Sequence, residues 1–185
     1  RRYSIDRLID VKKIPEFNQI KCSSSEGLVL GSAVPCHRIY EHQAIQDMYP
    51  ALVDSASIIG GIQIQGRATV GGNLCNASPS GDTIPALIAL GAECIIEGPE
   101  GQRCVLVEDF CVGPGKNVLN FGELLVSLRF PVPLKGSGSH YLRFIPRNEM
   151  DIAVAGSGAS VVLDEGGKSF KSACVALASV APTPL

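Results

Sequence analysis

The sequence predicts an α+β fold: a mixed sheet with flanking helices, followed by a second, strand-rich unit. Three observations carry that prediction. In the first half, short apolar runs bounded by Gly and Pro alternate with a long stretch of helical periodicity. At the centre stands a hairpin signal, "AECIIEG" and "QRCVLVE" flanking "PEG". The final third, "HYLRFI", "ASVVLD", the turn "EGGK" and "SFKSACVALASV", reads as an antiparallel meander.

Taken in order, "RLIDV" (7–11) reads as a short strand, and "IPEF" turns the chain. "GLVLGSAV" (27–34) reads as a buried strand that Pro35 ends. "HRIYEHQAIQDMYPALVDSASII" follows as one or two helices. Tyr49, Leu52, Val53, Ala56 and Ile59 recur at steps of three and four to form one apolar face, and Pro50 suits the first turn of the second helix. "GGIQIQGRATV" (60–70), with Ile62 and Ile64 alternating, reads as strand and turn. A helix is expected from Asp82 or Thr83 to Leu90, with Pro85 in its first turn and Gly91 ending it. "GELLVSLRF" (122–130) alternates as a strand, Leu124, Val126, Leu128 and Phe130 on one face and Leu125, Ser127 and Arg129 on the other. "PVPLKGSGS" (131–139) is the candidate boundary, giving units 1–131 and 137–185.

Composition excludes several classes. The chain has 185 residues, 45% hydrophobic and 18% charged, which suits a packed core rather than disorder. A net charge of −2 supplies no basic face for nucleic acid. No run approaches the ~18 apolar residues of a membrane span, and the charged opening "RRYSIDRLID" does not read as a signal peptide. The seven cysteines are odd in number and form no CxxC pair, so neither a disulfide framework nor a zinc site is suggested. Cys94, Cys104 and Cys174 lie in apolar strand-like runs, and a reducing cytoplasm fits. With no initiator Met and with "VALASVAPTPL" running from a strand into a proline-rich turn, the chain is expected to be part of a longer polypeptide.

Several motifs fail on inspection. "GPGKN" (113–117) lacks the first glycine of a phosphate loop, Phe110 standing there, and Asn117 replaces the Ser or Thr after Lys116. "VAGSGASVVLD" (154–164) offers Gly156 and Gly158 but has Val161 where a dinucleotide fingerprint needs its third glycine. "NAS" (76–78) is a formal glycosylation triplet without other signs of secretion. His37, His42 and His140 read as surface histidines, and no nucleophile, acid–base pair or metal set stands out, so no catalytic or metal-binding residue is assigned.

One stretch remains, "RATVGGNLCNASPSGDTIPAL" (67–87). Backbone N–H groups at Gly71, Gly72 and Asn73 can converge on an anion, since glycine tolerates positive φ and has no Cβ to block approach. Thr69, Asn73, Asn76 and Ser78 add hydroxyls and amides, and a helix N-terminus near Asp82 adds partial positive charge. Asp82 itself suits a sugar hydroxyl rather than a phosphate. These residues are compatible with a dinucleotide cradle and equally with a glycine-rich turn feeding a capped helix.

The same stretch, "ATVGGNLCNASPSGDTIPALIALGA", closely resembles the second FAD-binding segment of the molybdenum hydroxylase flavoproteins, namely the FAD domain of xanthine dehydrogenase and the medium subunit of carbon monoxide dehydrogenase and its relatives. Further similar segments lie in the family's order: "LIDVKKIPEF", "MYPALVDSASIIGGIQIQGRATVGGN", "GPGKNVLNFGELLVSLRFP", "RNEMDIAVAGSGASVVLD" and "SVAPTPL". The resemblance covers essentially the whole chain.

It implies a vanillyl-alcohol-oxidase-type FAD-binding subdomain followed by the start of a strand-rich C-terminal flavoprotein domain. It further implies FAD as cofactor, with Thr69, Val70, Gly71, Gly72 and Asn73 at the dinucleotide and Asp82 at a sugar hydroxyl. Leu125, Arg143, Ile59 and Asn76 fall at other family positions near the cofactor. The implied function is electron transfer from [2Fe–2S] clusters to an acceptor such as NAD or a quinone. The partners would be iron–sulfur and molybdopterin subunits or domains in a higher oligomer. The family's first glycine loop, of the form AGGT or AGGH, is expected to precede residue 1. The isolated chain is therefore expected to bind FAD weakly or not at all, and flavin absorbance retained after gel filtration would refute that. Two alternatives stand beside this reading: a stand-alone flavin oxidoreductase of the same fold, and a cofactor-less interaction domain.

Overall fold

The computed structural model describes residues 5–147 and 150–185. Residues 5–10 have no regular structure, and two 3-10 turns follow at Val11–Lys13 and Pro15–Phe17. The strand expected at 7–11 is therefore absent. Asp10 accepts from the Lys12 N–H at 3.0 Å and closes the first turn locally, and a strand without a partner has nothing to stabilise it.

β1 (Ile20–Ser23) and β2 (Gly27–Gly31) form a hairpin. The long helical stretch resolves into three short helices, α1 (Cys36–Tyr40), α2 (Gln43–Met48) and α3 (Pro50–Ser57), the last opening at Pro50 as its fixed φ favours. Between α3 and the next helix the chain makes consecutive turns rather than a strand. Ile64 donates to the Gly61 carbonyl at 3.0 Å and Arg67 to that of Ile64 at 2.8 Å, so the backbone bonds to itself. Ile62 and Ile64 consequently remain 78% and 46% exposed.

α4 (Val70–Asn76) and α5 (Thr83–Ala89) follow, and Gly91 ends α5 at φ +64°. β3 (Glu93–Gly98) and β4 (Gly101–Leu106) form the expected hairpin around Pro99 and Glu100. The motif "GPGKN" lies in a small ribbon of β5 (Cys111–Gly113) and β6 (Lys116–Asn117). β7 (Leu124–Phe130) completes an antiparallel five-stranded sheet of order β1-β2-β7-β3-β4. β8 (Ser137–Phe144), β9 (Ala155–Leu163) and β10 (Phe170–Ala178) form the meander as a separate three-stranded sheet.

The main core joins the five-stranded sheet to the helices: Leu28, Leu30, Ile96, Leu128 and Phe130 pack with Ile39, Ile45, Leu52, Leu74, Ile84 and Leu87. The helical face expected at Tyr49, Leu52, Val53, Ala56 and Ile59 turns into this core. Tyr49 stacks obliquely on Phe130, ring centres 5.5 Å apart, and its hydroxyl donates to the Pro131 carbonyl at 2.9 Å. The second sheet packs on α3 and α5 through Tyr141, Ala51 and Ala86. Gly158 permits the approach, since a Cβ there would lie 2.4 Å from the Pro85 carbonyl. Cys94 is buried as expected, but Cys104 on β4 is exposed.

The strict alternation expected in β7 fails at its start. Cys94 pairs with Leu128 while Ile96 pairs with Leu125, so a bulge places an extra residue on β7. Leu125 therefore turns into the core and Leu124 is 53% exposed, reversing the two assignments.

Candidate functional site

Thr69 ends the turn-rich segment in extended conformation, φ −134° and ψ 151°, and caps α4 by accepting the Gly72 N–H on its hydroxyl at 2.9 Å. The Asn73 N–H bonds to the Thr69 carbonyl at 3.0 Å. The segment Val70–Asn73 is thus the first turn of a helix and not a glycine nest. Neither Gly71 nor Gly72 has positive φ. Their lack of a side chain serves close packing instead: a Cβ on Gly71 would lie 2.5 Å from both Cβ and the carbonyl oxygen of Ser32. Gly72 is exposed, and its added Cβ would meet only the Thr69 hydroxyl, at 2.9 Å.

What remains available is specific. The Gly71 N–H has no hydrogen-bond acceptor among the described residues. The Thr69 hydroxyl, already accepting from Gly72, retains its own proton to donate. Val70 is buried beneath this turn and contributes to the core. The α4 N-terminus therefore presents donors and a partial positive charge, the chemistry that holds a phosphate oxygen.

Asn73 joins this turn to the next helix. Its side-chain carbonyl accepts from the Thr83 backbone N–H at 3.2 Å and from the Thr83 hydroxyl at 2.7 Å. Asn73 thereby caps α5, the role expected of Asp82 or Thr83. Asp82 occupies the N-cap position but makes no side-chain cap bond. Its carboxylate is turned toward β8, where the Tyr141 hydroxyl donates to Oδ1 and Arg143 Nη1 donates to Oδ2, both at 3.2 Å. The Asp82 and Arg143 side chains are 13% and 9% exposed. Burial pushes the Asp82 carboxyl above its ordinary range, while Arg143 and Tyr141 pull it back. Burial and the neighbouring Asp82 both raise the Tyr141 phenol.

Ser32 closes the other side. Its backbone abuts Gly71, and its hydroxyl donates to the Leu125 carbonyl at 2.6 Å. Contiguous contacts thus join Leu125, Ser32, the first turn of α4, Asn73, Asp82, Tyr141 and Arg143. Ile59 stands apart: its side chain is 8% exposed within the core, and its carbonyl accepts from Gln65 at 3.4 Å. Leu125 likewise packs in the core. Asn76 is exposed at the far end of α4.

Tyr141 and Ser32 join the site without standing out in the sequence. The period-two pattern of "HYLRF" puts Tyr141 and Arg143 on one face, a signal that could have found Tyr141; "GSA" at 31–33 carries none for Ser32. A cavity of about 630 Å³ lined by Met48, Tyr49, Leu90 and Pro131 lies elsewhere and includes none of the predicted site residues. Among the described residues, no three His, Cys, Asp or Glu side chains are grouped as a metal ion requires. Nor is any helix there long and apolar enough to cross a membrane.

This donor set fits a flavin dinucleotide: donors without lysine for a diphosphate, and beside them a carboxylate for a sugar hydroxyl. A family described as the FAD binding domain in molybdopterin dehydrogenase matches residues 1–133. The chain is 35% identical over 179 residues to the xanthine dehydrogenase FAD-binding subunit of Escherichia coli O157:H7, covering 96% of this chain and 61% of that protein. It is 31% identical to the carbon monoxide dehydrogenase medium chain of Hydrogenophaga pseudoflava, covering 97% and 61%. The solved carbon monoxide dehydrogenase from Hydrogenophaga pseudoflava, lacking the Mo-pyranopterin moiety of its cofactor, superposes with a TM-score of 0.88 at 30% identity, over 95% of this chain and 60% of that one. The reconstituted CO dehydrogenase from Oligotropha carboxidovorans gives 0.85 at 29%, over 92% and 58%. The chain thus spans about three fifths of the length of the curated relatives it matches.

Proposed function

The chain belongs to the family of FAD binding domains in molybdopterin dehydrogenases, and from that membership we propose that it is the FAD-holding part of a molybdenum-dependent oxidoreductase of the xanthine or carbon monoxide dehydrogenase type. Bound FAD supplies the redox chemistry; this chain binds and orients it. Thr69 and the Gly71 N–H hold a diphosphate oxygen, and the exposed edge of Gly72 leaves room for it. Asp82 accepts from a sugar hydroxyl, while Arg143 balances its charge. Leu125, through its carbonyl bond to Ser32, fixes the wall behind Gly71. Val70 supports the α4 turn from below by packing, Asn73 ties α4 to α5, and Ile59 acts only through the core in which it packs. Asn76 would touch the cofactor only at the exposed end of α4.

The observation that carries this reading is the Asn73–Thr83 link, which ties the first turn of α4 to the start of α5, where Asp82 stands. The wider proposal places [2Fe–2S] and molybdopterin subunits or domains upstream in electron flow and NAD, a quinone or another acceptor downstream, within a higher oligomer. Residues 1–131 form the FAD-binding unit and 137–185 begin a C-terminal flavoprotein domain; the extent of the family match supports that division. The setting proposed for it is the cytoplasm.

The test is an FAD titration of the deflavinated full-length protein. Thr69→Ala and Asp82→Asn are each expected to weaken FAD at least about tenfold, as loss of one charge-assisted or cap-linked hydrogen bond does. Unchanged affinity in both variants overturns the assignment.

A further inference from the structure

Resting on the FAD reading above, we propose that Tyr141 is a positioning residue for Asp82, and that Gly156 keeps open the space its hydroxyl occupies. An aspartate at an N-cap ordinarily folds back to accept from its own helix. Asp82 does not: the Ile84 N–H already bonds the Gly81 carbonyl at 3.3 Å and Pro85 has no N–H to offer, so its carboxylate is free to turn. Two donors from the same face of β8 then fix it, Tyr141 on Oδ1 and Arg143 on Oδ2. With each oxygen held by a donor from the same strand, the carboxylate is fixed in one orientation and each oxygen keeps acceptor capacity for a further hydroxyl. Arg143 alone would leave Oδ1 without a partner and the group able to swivel.

Tyr141 has no freedom of its own. It is 3% exposed, packed against Ala51 and Ala86, and a phenol that deeply buried needs a hydrogen-bond partner. Gly156 pairs with Arg143 across β8 and β9. A Cβ on Gly156 would lie 2.6 Å from the Tyr141 hydroxyl oxygen and 3.4 Å from its Cζ. Because the ring is wedged, an alanine there must push the hydroxyl off Asp82. This gives a use to a glycine that the dinucleotide fingerprint does not explain.

Among the described residues, the charged groups bonded to the pair or its backbone are these. Arg143 faces Asp82 from β8. Asp54 on α3 accepts from the Tyr141 backbone N–H at 3.1 Å and pairs with His140.

The experiment follows the dissociation constant of FAD from the deflavinated full-length protein against pH. Tyr141→Phe removes one oxygen and leaves the packing. Asp82 loses a donor to its charged form, so the acid limb of FAD binding moves up by about half a pH unit or more, while alkaline affinity stays within about threefold. Gly156→Ala gives the same shift, and the double variant gives no more than either alone. Coincident wild-type and Tyr141→Phe curves, or a uniform loss at every pH, overturn the proposal, the second outcome marking a merely structural role. Asp82→Asn separates the two layers. If it binds FAD like wild type, the role given to Asp82 fails and the proposal falls with it, whatever Thr69→Ala shows. If it weakens FAD while Tyr141→Phe shifts nothing, only the proposal fails.

Discussion

The Asn73 side chain reaches across ten residues to cap a helix that is not its own, accepting both the backbone N–H and the hydroxyl of Thr83. Replacing Asn73 by Ala strands both donors in a half-buried site. The expected loss is about 1–3 kcal/mol, read as a lower urea midpoint with an unchanged m-value. Asn73→Asp keeps the acceptor and adds negative charge at a helix N-terminus, so it is expected to recover most of that loss.

The paired glycines should respond differently. Gly71→Ala drives a Cβ to 2.5 Å from the Ser32 backbone and side chain, which cannot both move away. Such overpacking costs about 1–3 kcal/mol. Gly72→Ala meets only a rotatable hydroxyl, and alanine favours the helix by up to about 1 kcal/mol. Displacing the Thr69 hydroxyl also weakens the α4 cap by a similar amount, so stability is expected near wild type, with weaker FAD binding. Thermal unfolding beside FAD titration checks both.

Two carboxylates should give opposite pH dependence. Glu123 accepts from Arg103 through two bonds of 2.7 Å and from the Asn120 N–H, and these hold its carboxyl down from 4.5 to about 2. Its folded form prefers to be charged, so its contribution is present above pH 4.5 and is lost as pH falls toward 2. Asp82 is shifted the other way, chiefly by burial, so its contribution diminishes as pH rises above its ordinary 3.8. In stability-against-pH curves, Glu123→Gln should flatten the acid loss, and Asp82→Asn should remove the small opposing slope.

The sequence made most elements legible where local chemistry and packing agree. Pro50, Gly91 and the "PEG" hairpin turn punctuate as their backbone preferences require. It misled at 7–11 and over the strand within 60–70, where apolar alternation lacks a partner strand and local turns satisfy the backbone instead; the turn expected in 60–70 is there. It also misled at Leu124 and Leu125, because a bulge is set by register against β3 rather than by composition. Of the site, Thr69 and Asp82 were readable as polar groups flanking glycines. The contact of Gly71 with Ser32, and of Asp82 with Tyr141 and Arg143, are long-range, and a single sequence carries little of them.

The central claim concerns the first turn of α4, and backbone amide resonances report on it directly. In full-length deflavinated protein labelled with ¹⁵N-glycine, saturating FAD should move the Gly71 N–H downfield by more than any glycine of the β8–β10 sheet, as its uncapped proton gains a phosphate acceptor. A Gly71 resonance that stays in place while FAD binds would put the dinucleotide elsewhere on the molecule and contradict the account.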